Sequence, residues 1–300
     1  MILVVLAAGM GSRYGGLKQM EAFGAGGEAL LDYSVYDARR AGFDKVVFVI
    51  RHDFEDDFRN IVLARIGKKI ECNLAFQSLD ALIPADILEN AQKAGRTTPW
   101  GTVHALLSGE SAIDGPFTVI NADDFYGREA FLAMGRFFAT NPHEGALVPY
   151  TLTKILSPQG AVTRGICTII DGYLSSIHEM FGIIRDGDAI LSANLDGTKT
   201  ELAPDSPVSM NFWGFPADIF GDLHVYFDDF LRKLTDPVKS ECYLPLFADW
   251  LVQTKRCAIR SLSADSEWFG VTYQGDRERT TARIAELIAE GVYPDSLWKA

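Results

Sequence analysis

An α/β fold wound on both faces of a mostly parallel sheet is predicted by three features of the sequence. The chain opens on a short apolar run, Met1 to Leu6, that reads as a buried strand and passes at once into a loop holding Gly9, Gly11, Gly15 and Gly16. Strand and helix patterns then alternate in short succession, which implies parallel pairing through right-handed crossovers. A further apolar strand, Phe117 to Asn121, runs directly into Asp123-Asp124. Ligand sites of such sheets lie at the carboxyl ends of strands, so both the glycine loop and these acids mark that edge.

Each element follows from local pattern. Leu30, Leu31, Ser34, Val35 and Ala38 share a helical face, and Gly42 is a natural stop. Val46 to Ile50 is a second strand. Asp53 reads as an N-cap ahead of Phe54, Phe58, Ile61 and Val62, with Gly67 closing the helix. Ile70 to Gln77 supplies the next strand, Asp80 to Ala91 a short helix, and Gly95 to Pro99 a loop. The second half changes character. Asp171-Gly172 is a hairpin signal, Arg185 to Asp188 resembles a second turn, and Val208 to Phe215 reads as one strand. Pro216 to Leu234 and Asp276 to Glu290 have helical spacing; Gly291 and Pro294 end the last helix.

Composition narrows the classes. Three hundred residues, 48% hydrophobic and 23% charged, suit a soluble globular protein with ample core. A formal net charge of -12 argues against a nucleic-acid binder, which would carry a basic face. The four cysteines, Cys72, Cys167, Cys242 and Cys257, form no Cys-x-x-Cys pair, and the five histidines show no zinc spacing. No membrane-spanning or signal pattern is present, so a cytoplasmic protein with reduced thiols is expected. The oligomeric state is left open, a homo-oligomer included.

Against this acidic background, Arg13 and Lys18 stand within the glycine loop. Glycines let backbone N–H groups close around an anion, and the two cations add full charge. The loop therefore reads as a phosphate cradle, with an ordinary strand-to-helix turn as the alternative. Spacing excludes two common cradles. Tyr14 stands where Gly-x-Gly-x-x-Gly needs its third glycine, and Leu17 stands where a P-loop needs lysine. What remains, Leu6-Ala7-Ala8-Gly9-Met10-Gly11-Ser12-Arg13 followed by Leu17-Lys18, resembles the nucleotidyltransferase family of nucleotide-sugar pyrophosphorylases, whose pattern is Leu-Ala-Ala-Gly-x-Gly-Ser/Thr-Arg and then Pro-Lys. The resemblance is firm over residues 1–130 and looser beyond.

The resemblance implies a single nucleotidyltransferase domain over residues 1–300 with a Rossmann-like, mixed sheet. Residues 1–130 would bind nucleotide, an antiparallel region over 131–275 would bind the acceptor, and 276–300 would form a C-terminal helix. It implies that Arg13 and Lys18 are catalytic and that Leu6, Ala7, Ala8, Gly9, Gly11 and Ser12 line the nucleotide. Gln77, Gly101 and Thr102 would recognise the base, with 78–98 inserted between them as a mobile cover. Asp123 would take Mg²⁺, which accepts carboxylate and phosphate oxygens while keeping waters; Asp124 would cap the following helix or support the metal. Glu179 and Asn211 would hold the acceptor.

Two departures matter. Met180 follows Glu179 where many members have lysine, so Arg164 or Arg185, on either side in sequence, would bind the acceptor phosphate. Trp268-Phe269-Gly270-Val271-Thr272 lacks the family's second metal-binding Asp, and Asp265 is the nearby substitute.

The implied reaction joins a nucleoside triphosphate to a sugar 1-phosphate, giving a nucleotide sugar and pyrophosphate. A phosphate monoester has a second pKa of about 6, so its oxygen is already a nucleophile and no general base is needed. Two other readings stand beside this one: a cytidylyl- or other nucleotidyltransferase acting on a non-sugar phosphate such as phosphocholine, and a catalytically silent nucleotide-binding regulator.

Overall fold

The computed structural model describes residues 1–9, 21–157, 160–193, 198–271 and 275–298. β1 (Ile2–Leu6) precedes α1 (Leu30–Arg40), which ends in a Schellman turn: Gly42, at φ 92°, donates to Arg39 O and Phe43 donates to Ala38 O. β2 (Lys45–Ile50) leads through a 3₁₀ turn into α2 (Glu55–Phe58), a π-helical turn (Arg59–Leu63) and α3 (Ala64–Ile66). There follow β3 (Glu71–Phe76), α4 (Ala85–Lys93), α5 (Thr102–Ser108), β4 (Phe117–Asn121), β5 (Asp124–Phe125) and α6 (Arg128–Thr140). β6 (Gly145–Leu147), β7 (Tyr150–Thr151) and α7 (Leu152–Ile155) lead to the long hairpin of β8 (Val162–Ile170) and β9 (Tyr173–Asp186). Then come β10 (Ala189–Ala193), β11 (Lys199–Leu202), β12 (Pro207–Ser209), β13 (Trp213–Phe215) and α8 (Phe220–Arg232). α9 (Leu244–Gln253), β14 (Ile259–Ser261), β15 (Phe269–Gly270) and α10 (Asp276–Ala289) close the order.

One mixed sheet runs β3-β2-β1-β4-β13-β6-β14-β9-β8-β12-β7. Its first four strands are parallel, and β13 enters antiparallel beside β4. Both faces are covered. Leu3 and Val5 of β1 pack with α1 and α6, whereas Ile2 and Val4 pack with α5, α8 and α9. That alternation is why an unbroken apolar strand is needed here. The strand order reverses between β1 and β4, where Leu6 lies opposite Asn121, so the crevice expected of such sheets opens there. No helix among the described residues is long and apolar enough to cross a membrane.

The doubly wound fold and both hairpins agree with the sequence reading; Asp171 and Gly172 both have positive φ, as a tight hairpin turn requires. Four local expectations are corrected. Asp53 caps nothing: its carboxylate takes two bonds from Arg51, at 2.9 and 2.8 Å, and the turn starts a residue earlier. Ile61 is exposed, because the π-helical turn shifts the apolar stripe away from it. The stretch 208–215 is two strands, broken where Asn211 adopts φ 61°. The helix of segment 78–98 starts later than expected, and the segment is tied down. Trp100 Nε1 donates to Leu79 O at 2.8 Å, His104 Nε2 meets Ala81 O at 2.8 Å, and Ala91 is fully buried.

The C-terminal segment clasps α1 through buried acids. Trp298 Nε1 donates to Asp32 at 2.9 Å, Leu297 N to Glu28 at 3.3 Å, and the Tyr293 hydroxyl to Asp37 at 2.6 Å. Burial pushes the Asp37 carboxyl up to about 7 despite Tyr293, Arg128 and Arg40, with Glu129 adding to the rise. An unfolded aspartate titrates near 3.9, so this group favours the fold below about pH 4, and its contribution is lost as pH rises to about 7. Asp37→Asn is therefore expected to stabilise the protein above pH 7 by a few kcal/mol, on the order of the shift itself. The gain should vanish at pH 4; thermal unfolding of both forms across that range checks it.

Candidate active site

Four side chains from four distant stretches converge on one cavity of about 290 Å³ at the carboxyl end of β4. Asp123 stands just past β4, Arg164 lies on β8, Glu179 on β9, and Asn211 at the break between β12 and β13. Register explains how Arg164 and Glu179 come together. Across the β8–β9 hairpin Arg164 lies opposite Met180 and Gly165 opposite Glu179. Arg164 thus occupies the cross-strand neighbour of the position where a lysine was missing. The same strand break that puts Asn211 in a left-handed conformation turns it into the cavity wall, with Trp213 Nε1 donating to its Oδ1 at 3.3 Å. A non-glycine residue held there is uncommon and costs energy, which marks functional positions more often than others.

Below the cavity lies a buried polar network that sequence reasoning missed. Asp124 Oδ2 accepts from Asn121 Nδ2 at 2.9 Å. The Tyr126 hydroxyl accepts from Asn121 N at 3.0 Å and shares its proton between Met210 O at 2.9 Å and Asp124 at 3.2 Å. Tyr150 donates to Tyr126 O at 2.7 Å. Burial, reinforced by Asp124, pushes both phenols far above their usual range, so they remain proton donors at any working pH. Of the two roles expected for Asp124, it does not cap α6. Gly127 occupies the N-cap, and Ser266 Oγ accepts from Ala130 N at 2.8 Å in its place. The one sequence cue for this network is the spacing Asp124-x-Tyr126.

Two expected residues fall elsewhere. Arg185 is exposed on the β9–β10 hairpin opposite Ile190 and does not line the cavity. Asp265 is 97% exposed and pairs with Lys154 at 3.4 Å, away from Asp123's cavity. A hairpin tip and an extended loop both point outward, which sequence proximity to Glu179 and Trp268 could not reveal. Among the described residues no three His, Cys, Asp or Glu side chains converge as a metal cage.

On the β1 side, Leu6, Ala7 and Ala8 end the strand, with Ala122 N donating to Leu6 O and Ala7 N to Val49 O. A Cβ placed on Gly9 would meet no atom of the described residues within 4 Å. Gly11, Ser12, Arg13 and Lys18 lie outside the described residues. Gln77 and Gly101 do meet, across the intervening segment. Buried Gln77 donates through Nε2 to Gly101 O at 3.1 Å and to His104 Nδ1 at 3.0 Å. Burial pushes the His104 imidazole down, so it is neutral, with its Nε2 proton on Ala81 O. Gly101, at φ 95°, abuts Cys242 so closely that a Cβ would lie 2.6 Å from its carbonyl oxygen. Thr102 Oγ1 accepts from Leu244 N at 2.9 Å, so that hydroxyl secures the start of α9.

The fold is an α/β mixed sheet whose crevice opens at the β1–β4 reversal, where a glycine-rich stretch follows β1 in sequence and an acidic cavity follows β4. Residues 3–133 match the model of the MobA-like NTP transferase domain. Solved structures share the chain's fold over nearly the whole length. UDP-glucose pyrophosphorylase complexed with UDP-glucose is 18% identical, with 95% of this chain and 98% of that chain covered and a TM-score of 0.58. The inositol-1-phosphate CTP transferase from T. maritima is 12% identical over 95% and 96%, at 0.60. A putative glucose-1-phosphate thymidylyltransferase from Bacillus anthracis in complex with a sucrose is 12% identical over 94% and 95%, at 0.61. No match was found among curated proteins.

Proposed function

We propose that the protein joins a nucleoside triphosphate to a sugar 1-phosphate with Mg²⁺, forming a nucleotide sugar and pyrophosphate. The observation that carries this reading is the convergence of Asp123, Arg164, Glu179 and Asn211 on one cavity beside the end of β1. A phosphate oxygen of the acceptor forms a bond to the α-phosphorus, and the bond from that phosphorus to the pyrophosphate oxygen breaks. Catalysis is then alignment and charge stabilisation. Arg164 takes the acceptor phosphate with its planar fork, while Glu179 and Asn211 take hydroxyl groups of the sugar. Arg13 and Lys18 offset charge on the transferred and leaving phosphates. Gly9, lacking a side chain, lets the nucleotide approach the backbone. Gln77 has its amide N–H groups engaged and keeps its carbonyl oxygen for a donor on the base.

The donor set fits Mg²⁺ held by Asp123 together with substrate phosphate oxygens, since this ion is commonly bound by one or two carboxylates plus phosphates and keeps several waters. Asp124, whose Oδ2 accepts from Asn121 and Tyr126, holds the turn that presents Asp123. When bound, Mg²⁺ would supply charge neutralisation at the phosphates.

Phosphocholine would want an aromatic cage for its ammonium group. Tyr243 and Trp268 both line the cavity, but the Arg164 guanidinium already lies 5.4 Å from the Trp268 ring centroid, which favours the sugar phosphate. The test is pyrophosphate release with nucleoside triphosphates and a panel of phosphorylated acceptors. Release should require a hexose 1-phosphate and stop on chelation of Mg²⁺. Release that ignores the acceptor, or that phosphocholine alone supports, would overturn the reading.

A further inference from the structure

At the carboxyl edge of the sheet the register runs Leu6–Val49–Ala75 across β1, β2 and β3. Gln77 therefore ends its strand about level with Ala8 and two strand spacings away, roughly 10 Å. Its side chain lies on the same face as Ala75, toward α5, where it meets Gly101 and His104. Gln77 Oε1 accepts from no described residue and is not sealed from water, so it is open to a ligand.

The orientation of that amide is fixed by its neighbours. His104 Nε2 faces the Ala81 carbonyl at 2.8 Å and must hold the ring proton. In a neutral ring Nδ1 is then a lone pair, and the Trp100 backbone N–H points to it at 3.4 Å. Burial pushes the imidazole down, against the Ala81 bond, and Arg96 pushes the same way, so the ring stays neutral. It is fully buried and stacked on Phe227, with 5.4 Å between ring centroids. Gln77 Nε2 thus lies between two acceptors, Gly101 O at 3.1 Å and His104 Nδ1 at 3.0 Å. Turned over, the amide would set its oxygen against both.

Keto bases (uracil, thymine, guanine) and amino bases (cytosine, adenine) carry donor and acceptor in opposite order along the same edge. A fixed acceptor suits one class and opposes a lone pair of the other. A glutamine free to turn over would serve both. We infer that His104 is a positioning residue that sets base selection through Gln77, by holding the amide so that Gln77 offers an acceptor alone. This role rests on the place of Gln77 at the base proposed above.

The test measures calorimetric affinities of the full-length chain for UTP, dTTP, GTP, CTP and ATP, each with Mg²⁺. The quantity read is the affinity ratio between the tightest keto and the tightest amino triphosphate. Wild type should favour one class by roughly tenfold or more. His104→Gln keeps a donor for Ala81 but places no acceptor at Nδ1, and the ratio should fall toward one. His104→Asn can set its amide oxygen where Nδ1 stood and should recover most of the preference. A histidine that only ties down segment 78–98 would weaken all five alike. That result, an even wild-type ratio, or an Asn variant no better than Gln would overturn the role of His104. Imidazole ¹⁵N shifts of the wild type, with His104 assigned by its loss in either variant, test the proton order without nucleotide. A neutral ring protonated on Nε2 is expected at about pH 7, and a charged or Nδ1-protonated ring would overturn the role as well. Gln77→Met separates the two claims. If it leaves the ratio unchanged, Gln77 does not read the base and the proposed base contact fails. If it lowers the ratio while His104→Gln does not, only the role of His104 fails.

Discussion

Asp123→Asn is expected to reduce turnover a hundred- to a thousandfold while leaving the fold intact, and Lys18→Ala to do the same. Removing one preorganised charge contact to a transition state costs roughly 2.7–4 kcal/mol, read as a loss in kcat. The expectation of an intact fold follows from the division of labour at the end of β4. The buried bonds that hold this turn belong to Asp124, Asn121 and Tyr126, whereas Asp123 is half-buried on the cavity wall. Asparagine keeps the shape of aspartate and removes the charge. Single-turnover rates beside thermal unfolding check both variants. Near-normal turnover in a folded variant would remove that residue from the mechanism.

Arg164→Ala is expected to raise the KM for the sugar phosphate by one to two orders of magnitude and to leave the KM for the nucleotide nearly unchanged. A hydrogen bond to a charged group is worth roughly 1.5–3 kcal/mol, and a phosphate that loses this fork loses at least that. Arg185→Ala is the built-in control, because it is exposed on the hairpin tip outside the cavity and should change neither constant. Arg164 also stacks on Trp268, so Arg164→Lys should recover charge without the planar contact and restore only part of the acceptor affinity. Equal KM values for wild type and Arg164→Ala would place the acceptor phosphate elsewhere.

Features that depend on neighbours along the chain are legible from the residues alone. The apolar run of β1, the spacing Leu6 to Arg13, the strand ending in Asp123-Asp124 and the Asp171-Gly172 turn are each written in a few consecutive residues. These were enough for the sheet, the long hairpin and the class of chemistry. Tertiary structure decided what depends on register and on distant partners. Arg164 rather than Arg185 faces Glu179's cavity because β8 pairs with β9 so that residue 164 lies opposite 180, while 185 belongs to the outer hairpin. Asp265 fails as a partner of Asp123 because its loop turns it to solvent beside Lys154. Asn211 enters the wall because the chain must leave β12 and join β13 between β4 and β6, a change of course made at a single left-handed residue. Ser266 caps α6 from 136 positions away. A local pattern records the conformation a residue prefers; which side chains share a cavity is fixed by strand order and pairing register, and a shift of one residue in that register turns every side chain to the other face.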